Sequence, residues 1–530
     1  MSAAAAGPIG PAVAPWRPSH NPWVVALTVT LATFMEVLDT SIANVALPHI
    51  AGGLSAGVDE STWVLTSYLV SNAVVLPMSA WLSTILGRKR FYMSCVALFT
   101  MSSVLCGFAP TLSTLIFFRV LQGVGGGGLQ PSEQSILADT FVPEKRAMAF
   151  AVYGMAVVLA PAIGPTLGGW ITDNFDWRWI FFINLPVGII SLILTSRVVE
   201  DPPHLTGRNK RMKVDYVGII LITLGLGALQ LMLDKGERLG WFQSDFIVTF
   251  GVVAIVGLTA FSIWEWFQAH PLVELKMLKQ RNFATASVMM TMLGLTLFGS
   301  TVVMPLFLQE LLGYSAEQSG LVLSPGGLAI ILMLPLVGFL MTRVDPRWLI
   351  AIGFASVALG LYKMTNIDLQ MDFRTAVLYR IYQTAGLAFL FVPISTMAYA
   401  GVPPEKNNQL SAMINLFRNI GGSVGISLAS TLISRRAQVH QDNLVTHATG
   451  YDQAFRNSFN ALKNTYAGAG VSKADAAHRA YGQIYGMVQR QASAQAYVDT
   501  IYMLAIGAAL MIPLVLLLQK VKRGEMHMGH

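Results

Sequence analysis

The sequence predicts an all-α membrane protein built from two six-helix bundles and two inserted helices, with fourteen transmembrane helices in all. Three observations predict it. Of the 530 residues, 54% are hydrophobic and only 12% charged, with a mean hydropathy of +0.56, too apolar for a soluble multidomain chain. At about 20 apolar residues per crossing, the chain offers fourteen spans, at about 23–47, 61–86, 91–109, 112–138, 147–172, 178–197, 214–233, 245–266, 283–308, 317–342, 348–365, 375–401, 409–433 and 498–519. Finally, the chain repeats at one offset. Arg119, Gln122 and Gly125 are matched 261 residues later by Arg380, Gln383 and Gly386, Pro143-Glu144-Lys145 by Pro404-Glu405-Lys406, and Gly164 by Gly425. Identities at a single displacement indicate a duplicated bundle, pairing helices 1–6 with 9–14 and leaving helices 7 and 8 as an inserted hairpin.

The loops set the orientation. Arg88-Lys89-Arg90, Lys145-Arg146, a linker with Arg208, Lys210, Arg211 and Lys213, then Lys276, Lys279, Arg281 and finally Lys520, Lys522, Arg523 fall on one side. The short loops at 48–60, 109–111 and 309–316 have no Lys or Arg, so both termini are expected in the cytoplasm. The division expected is a disordered cytoplasmic tail (1–22), an N-terminal bundle (23–197), a linker (198–213), the hairpin (214–266), a second linker (267–282), a C-terminal bundle (283–519) with a long outer loop (434–497), and a tail (520–530). The first 22 residues lack the basic start and apolar run of a signal peptide.

Composition also excludes functions. The net charge of +7 comes from short loops, so it does not indicate nucleic-acid binding. Cys95 and Cys106 share one span, which excludes a disulfide framework or a CxxC metal site. The His residues lie in tails and loops with no metal-binding pair at helical spacing, so no metal is expected; the closing Met-His-Met-Gly-His fits a frayed tail better than a site. Gly125–Gly128 follows no strand and lacks the Lys-Ser/Thr of a phosphate loop. No catalytic constellation is present, no cofactor is expected, and an ion gradient is a better energy source than ATP.

The first helix carries Glu36 and Asp39, three apart and so on one face. At 1.5 Å per residue, Asp39 lies roughly 24 Å above the cytoplasmic end of its helix, and Arg119, entering from outside, roughly 10 Å below that surface. The depths agree, and an Asp39–Arg119 pair follows. Glu133, roughly 21 Å further along the fourth helix, is out of reach of Arg119. A guanidinium within a span must face a cavity or a counter-charge. A lone arginine also fits a snorkelling flank, but the recurrence at Arg380 argues against that. A static ion pair that only fixes packing is the alternative to a proton site. In the fifth helix, Ala160, Gly164 and Gly168 make a smooth face and Pro161 and Pro165 bend it, a hinge, a proton seal or simply a packing groove. Asp176-Trp177-Arg178-Trp179 opens the sixth helix as an interfacial anchor.

With these residues in hand, the chain resembles the major facilitator superfamily, and within it the fourteen-helix drug:proton antiporters of the EmrB/QacA type, over about 23–520. Leu38-Asp39-Thr40-Ser41-Ile42-Ala43-Asn44-Val45-Ala46-Leu47-Pro48 looks like that family's helix-1 motif. Leu115, Arg119, Gln122, Gly123 and Gly125 match its helix-4 motif, and Gly164-Pro165 with Gly168-Gly169 its antiporter motif, with Ala160 where a glycine is usual. Trp177-Arg178-Trp179-Ile180-Phe181-Phe182-Ile183-Asn184-Leu185-Pro186 is also of this type, and Leu229–Gly236 followed by Gly240-Trp241-Phe242 looks closest to the EmrB branch. The loop after helix 2 keeps Gly87-Arg88-Lys89 as a cytoplasmic gate, but the superfamily's acidic position aligns with Thr84 and its leading glycine with Ala80, so some other contact must hold the closed state.

The resemblance implies a proton-driven multidrug exporter of the bacterial inner membrane. It would use Asp39, Arg119 and Glu36 for proton coupling, and Gln122, Asn44, Arg380, Gln383 and Arg418 at the substrate cavity. Pro161, Gly164, Pro165, Gly168 and Gly169 would form the hinge. The implied partners are membrane lipid, small lipophilic drugs, a periplasmic adaptor and an outer-membrane channel. The adaptor would dock on 434–497, where Ala474–Tyr497 suits a helix with Ile484, Met487 and Val488 on one side. A porter for a specific metabolite or siderophore, and a non-transporting scaffold, are the rival readings.

Overall fold

A computed structural model describes residues 18–202, 214–269 and 271–520. The expected N-terminal tail up to residue 17, the basic linker at 203–213 and the final ten residues lie outside that range. Among the described residues the chain is helical and has no strand. A span must satisfy its own backbone hydrogen bonds, and a helix does so. The first bundle comprises α1 (Pro22–Gly53), α2 (Trp63–Leu86), α3 (Arg88–Gly107), α4 (Leu112–Thr140), α5 (Pro143–Asn174) and α6 (Trp179–Val198). The inserted hairpin is α7 (Tyr216–Lys235) and α8 (Asp245–Phe267). The second bundle holds α9 (Arg281–Leu311), α10 (Ala316–Leu340), α11 (Pro346–Met364), α12 (Phe373–Ala398) and α13 (Asn407–Val445). A short α14 (Gln453–Gly468) precedes the last helix, α15 (Lys473–Leu510).

Twelve of the described helices are long and apolar enough to cross a membrane, thirteen if the bent α5 counts as one span. The remaining long helix, α13, is too polar for that measure because its buried face carries Asn407, Asn408, Asn415 and Arg418. Helix starts follow local chemistry. Asn21, Asp215 and Asp372 each accept a backbone N–H of the first turn of α1, α7 and α12, and Ser315 pairs reciprocally with Gln318 at α10. At the turn from α2 to α3, Gly87 has φ +82°, a conformation that favours glycine.

The two bundles repeat the same packing. In the first, α1 lies on α5, α2 and α3 on α4, and α3 on α6. In the second, α9 lies on α13, α10 and α11 on α12, and α11 on α15. Gly125 of α4 lets the α3 backbone approach so closely that a Cβ would stand 2.7 Å from the Phe99 nitrogen. Its counterpart Gly386 stands at the same distance from the Val357 nitrogen of α11. The bundles meet through α2 on α13, α5 on α10, and the end of α4 on α13, while α7 leans on α2 and α13 and pairs with α8. Leu224, Val252, Ile255 and Phe267 leave much of the hairpin's apolar surface exposed, as a lipid-facing element needs.

Two expected boundaries move. Helix 13, expected to stop near 433, runs on to Val445, and helix 14, whose span was expected from 498, begins at Lys473 and so takes in the helix expected over Ala474–Tyr497. The stretch expected as a long loop is therefore mostly helix, two long extensions with α14 packed on α15. Phe459 and Tyr481 join the latter two, their ring centroids 4.5 Å apart. The apolar-window rule stopped short because these extensions are polar; a helix leaving the bilayer keeps its period but not its composition.

Candidate functional site

The expected Asp39–Arg119 pair forms. Arg119 is fully buried and its Nη1 donates to Asp39 Oδ2 at 2.6 Å and to Gln122 Oε1 at 2.8 Å, while Nε donates to the Val64 carbonyl at 3.0 Å. Asp39 Oδ1 in turn accepts from Gln122 Nε2 at 2.9 Å and Asn184 Nδ2 at 2.7 Å. Asn184 belongs to the Trp177–Pro186 motif, whose aromatic anchors are the more obvious feature; its amide also donates to Ser103, which positions α6 against α3.

Glu36 sits one turn along α1 from Asp39 and has a separate shell. Gln130 Nε2 donates to one carboxylate oxygen at 2.8 Å; Asn72 Nδ2 at 3.1 Å and Tyr68 Oη at 3.3 Å donate to the other. Tyr68 joins the two sites. Its hydroxyl serves Glu36 while its ring lies under the Arg119 guanidinium, 4.4 Å from the centroid, where the negative ring face attracts the cation. A third carboxyl, Glu133, is also fully buried; Thr30 and Thr33 donate to it, and it has no ion pair among the described residues.

Across the bundle interface, Arg418 of α13 donates to Gln130 Oε1 and to the Tyr153 hydroxyl. Gln130 thus accepts from the second bundle with its oxygen and donates to Glu36 with its nitrogen. One amide connects a carboxyl of the first bundle to a cation of the second. Beside it opens a cavity of about 190 Å³ between α1, α2, α7, α9 and α13, with Glu36, Tyr68, Asn72 and Gln130 at its polar wall and Leu229 and Phe298 at its apolar one.

None of the five residues expected around the substrate borders this cavity. Gln122 is absorbed into the Asp39 cluster, Asn44 is exposed, and Arg418 stands one hydrogen bond away. Arg380 and Gln383 reproduce the first bundle's pair, Nη1 to Oε1 at 2.7 Å, but residue 39 plus the offset of 261 is Ser300. Arg380 therefore meets Thr301, at 3.2 Å, and Gln383 meets Ser300, where the first bundle has an acid. The duplication kept the arginine and dropped the carboxylate.

At the Arg88 end of the molecule the missing acid of the gate loop is replaced. Thr84 bonds only to the Ala80 carbonyl of its own helix. Arg88, fully buried, instead pairs with Asp139 at the end of α4 and donates to Ser135. Asn407 of α13 donates to Asp139 at 2.5 Å, and Asn408 donates to Ser83 at 3.1 Å and accepts from Ser135. Lys89 anchors the loop to Asp201 and the Ser196 carbonyl. Two asparagines of the second bundle thus close this end. They escaped the sequence reading because nothing marks an Asn pair before it is placed opposite its partners. The glycine face of α5 packs on α1 beside the Asp39 cluster, where a Cβ on Gly164 would collide with Ser41 Oγ, while Gly169 faces open space. A bend of 42° separates the two halves of α5 near Pro161.

A family model described as Major Facilitator Superfamily matches residues 29–426, most of the chain. The chain belongs to the major facilitator superfamily. It is accordingly a secondary transporter and not an enzyme. The fatty acid resistance protein FarB of Neisseria gonorrhoeae is 39% identical over 427 residues, 81% of this chain and 84% of its own length. The multidrug export protein EmrB of Haemophilus influenzae is 38% identical over 441 residues, 82% of this chain and 86% of its own. Among solved structures of this superfamily fold, the human organic anion transporter MFSD10 aligns with a TM-score of 0.58 at 13% identity, covering 94% of this chain and all of that one.

Proposed function

We propose that this major facilitator protein is a proton-driven exporter of lipophilic drugs in the inner membrane of a bacterium, working by rocking of the 23–197 and 283–519 bundles about the inserted hairpin. The carrying observation is the Asp39–Arg119–Gln122 cluster. It holds a buried carboxyl against a cation that cannot give up its proton, so the carboxyl is the group that changes state. Kinship with a multidrug export protein supports drugs as the cargo.

The mechanism follows from the linkages. Protonation of Asp39 removes the negative partner of Arg119, whose guanidinium rests on the Tyr68 ring; Tyr68 then reports to Glu36 and Gln130 reports onward to Arg418. Loss of the Glu36 charge weakens its hold on Gln130, and with it the contact to the second bundle. The cavity, with Glu36 at its wall and leucines around it, suits a lipophilic cation that competes with the proton for that carboxyl. Arg418 acts on it through Gln130; Arg380 and Gln383 give the second bundle a polar face in the other access state. The basic loops support a cytoplasmic Arg88 end with both termini on that side, and fourteen crossings with α13 counted among them. The projecting α13–α14–α15 extensions suit docking of a periplasmic adaptor that leads to an outer-membrane channel.

The test is counterflow and gradient-driven uptake in proteoliposomes, using a panel of fluorescent lipophilic drugs with and without a pH gradient. Drug accumulation that follows the gradient supports the reading. Uptake indifferent to it, for every drug, would falsify it.

A further inference from the structure

On the reading of a proton-driven transporter, we propose that Glu133 is a further proton carrier, the cytoplasmic-side station of a relay that runs from Asp39 through Glu36 between α1 and α4. Positions 39, 36, 33 and 30 of α1 follow one another at intervals of three, so each neighbours the next on a strip that winds round the helix by about 60° and descends by roughly 4.5 Å per step. The first two are carboxyls. The next two are threonines whose hydroxyls both donate to Glu133, Thr30 Oγ1 to one oxygen at 2.7 Å and Thr33 to the other. On the facing helix, Gln130 bonds Glu36 and Glu133 follows three residues on, so the two helices form a ladder with a carboxyl on each successive rung.

Glu133 fits no structural account. It is fully buried, far along α4 from Arg119, and among the described residues makes no ion pair. The ionisable groups that face it are Glu36 on α1, Tyr92 on α3 and Tyr153 on α5, none of them a cation at neutral pH. Below it on α4, Asp139 is committed to Arg88 of α3. An intramembrane carboxyl without a counter-charge marks an ion or proton path. The step is a simple exchange. The O–H bond at Glu36 breaks, an O–H bond forms at Glu133, and the negative charge moves to Glu36. Glu133 then releases its proton towards the Arg88 end when the Asn407–Asn408 contacts part.

The experiment uses the full chain in proteoliposomes with ethidium as probe, comparing Glu133→Gln and Glu133→Asp with wild type. Glutamine keeps the volume and an acceptor oxygen for the threonines, so a packing role survives it. Expected are intact ethidium counterflow, which needs no net proton movement, and gradient-driven accumulation slowed about a hundredfold, the size of a lost proton-transfer group. Glu133→Asp should recover part of the rate. Wild-type accumulation in Glu133→Gln would overturn the proposal, as would loss of counterflow in both variants, which would make Glu133 a structural residue. Should wild type itself ignore the pH gradient, the exporter reading fails first. Infrared difference spectra of the purified chain then decide for Glu133. A carboxyl band that titrates across the neutral range and vanishes in Glu133→Gln supports a proton carrier, and unchanged spectra refute it.

Discussion

Asp39 and Ser300 occupy equivalent places in the two bundles, and the difference between them is one carboxylate under an otherwise repeated arginine and glutamine. Asp39→Asn keeps the shape and leaves an amide oxygen for Arg119 while removing the exchangeable proton. Uphill export should fall to background with drug binding retained, measured by gradient-driven uptake beside equilibrium binding; export preserved against a gradient would move the carrier to Glu36. The same comparison separates the two arginines. Arg119→Lys keeps the charge but loses the fork that reaches Asp39, Gln122 and the Val64 carbonyl together, so protons moved per drug should drop. Arg380→Lys breaks no ion pair and should change substrate affinity and leave stoichiometry alone. An equal fall in stoichiometry for both would argue against confining proton work to the first bundle. The Asp39–Arg119 pair was legible in the sequence because helical rise fixes depth, and an arginine in a span needs a partner. Asn184, Gln130 and Tyr68 were not, because uncharged polar residues are tolerated in spans for many reasons and only their convergence on a carboxylate gives them a role.

At the scale of single helices, the glycines of α5 differ in what surrounds them although the motif treats them alike. A Cβ at Gly164 would collide with Ser41, two residues from Asp39, whereas Gly169 has open space. Gly164→Ala should therefore displace α1 from α5 and cost about 1–3 kcal/mol as an overpacked contact, with a matching fall in drug transport. Gly169→Ala should leave both thermal stability and transport near wild type, and equal losses at the two positions would show that backbone flexibility matters there, with packing secondary. Most helices were legible, since each apolar run is long and its ends carry caps or basic loops. The α15 extension was legible too, in the spacing of Ile484, Met487 and Val488, although the span rule stopped at 498; that of α13 was not, because residues 434–445 are mostly polar.

Over the whole molecule, the proposed rocking motion would have to part the contacts at the Arg88 end, where Asn407 and Asn408 reach across to Asp139, Ser83 and Ser135. Replacing both by Ala removes the cross-bundle hydrogen bonds at about 1 kcal/mol each. That should move the access equilibrium roughly a hundredfold towards opening at this end, read by spin-label distances between α2 and α13; unchanged distances would place the latch elsewhere.

The opposite end poses the other question of scale, whether the pump works alone. The α13 and α15 extensions with α14 project beyond the short loops of the first bundle and expose Tyr451, Tyr485 and Met487. Aromatic and Met side chains are enriched where proteins meet. Arg490 and Tyr497 tie the base of α15 to α9, so the remainder of that helix keeps its anchor when the projecting part is removed. Deleting 445–489 and closing the gap with Gly/Ser should therefore leave proton-driven drug uptake in proteoliposomes at wild-type rates, because Asp39, Glu36 and the cavity lie in the membrane. In cells the same deletion should abolish resistance together with co-purification of an adaptor. Resistance retained in cells would sink the docking role and leave a stand-alone pump, and loss of uptake in proteoliposomes would instead tie the extension to the bundle's own motion.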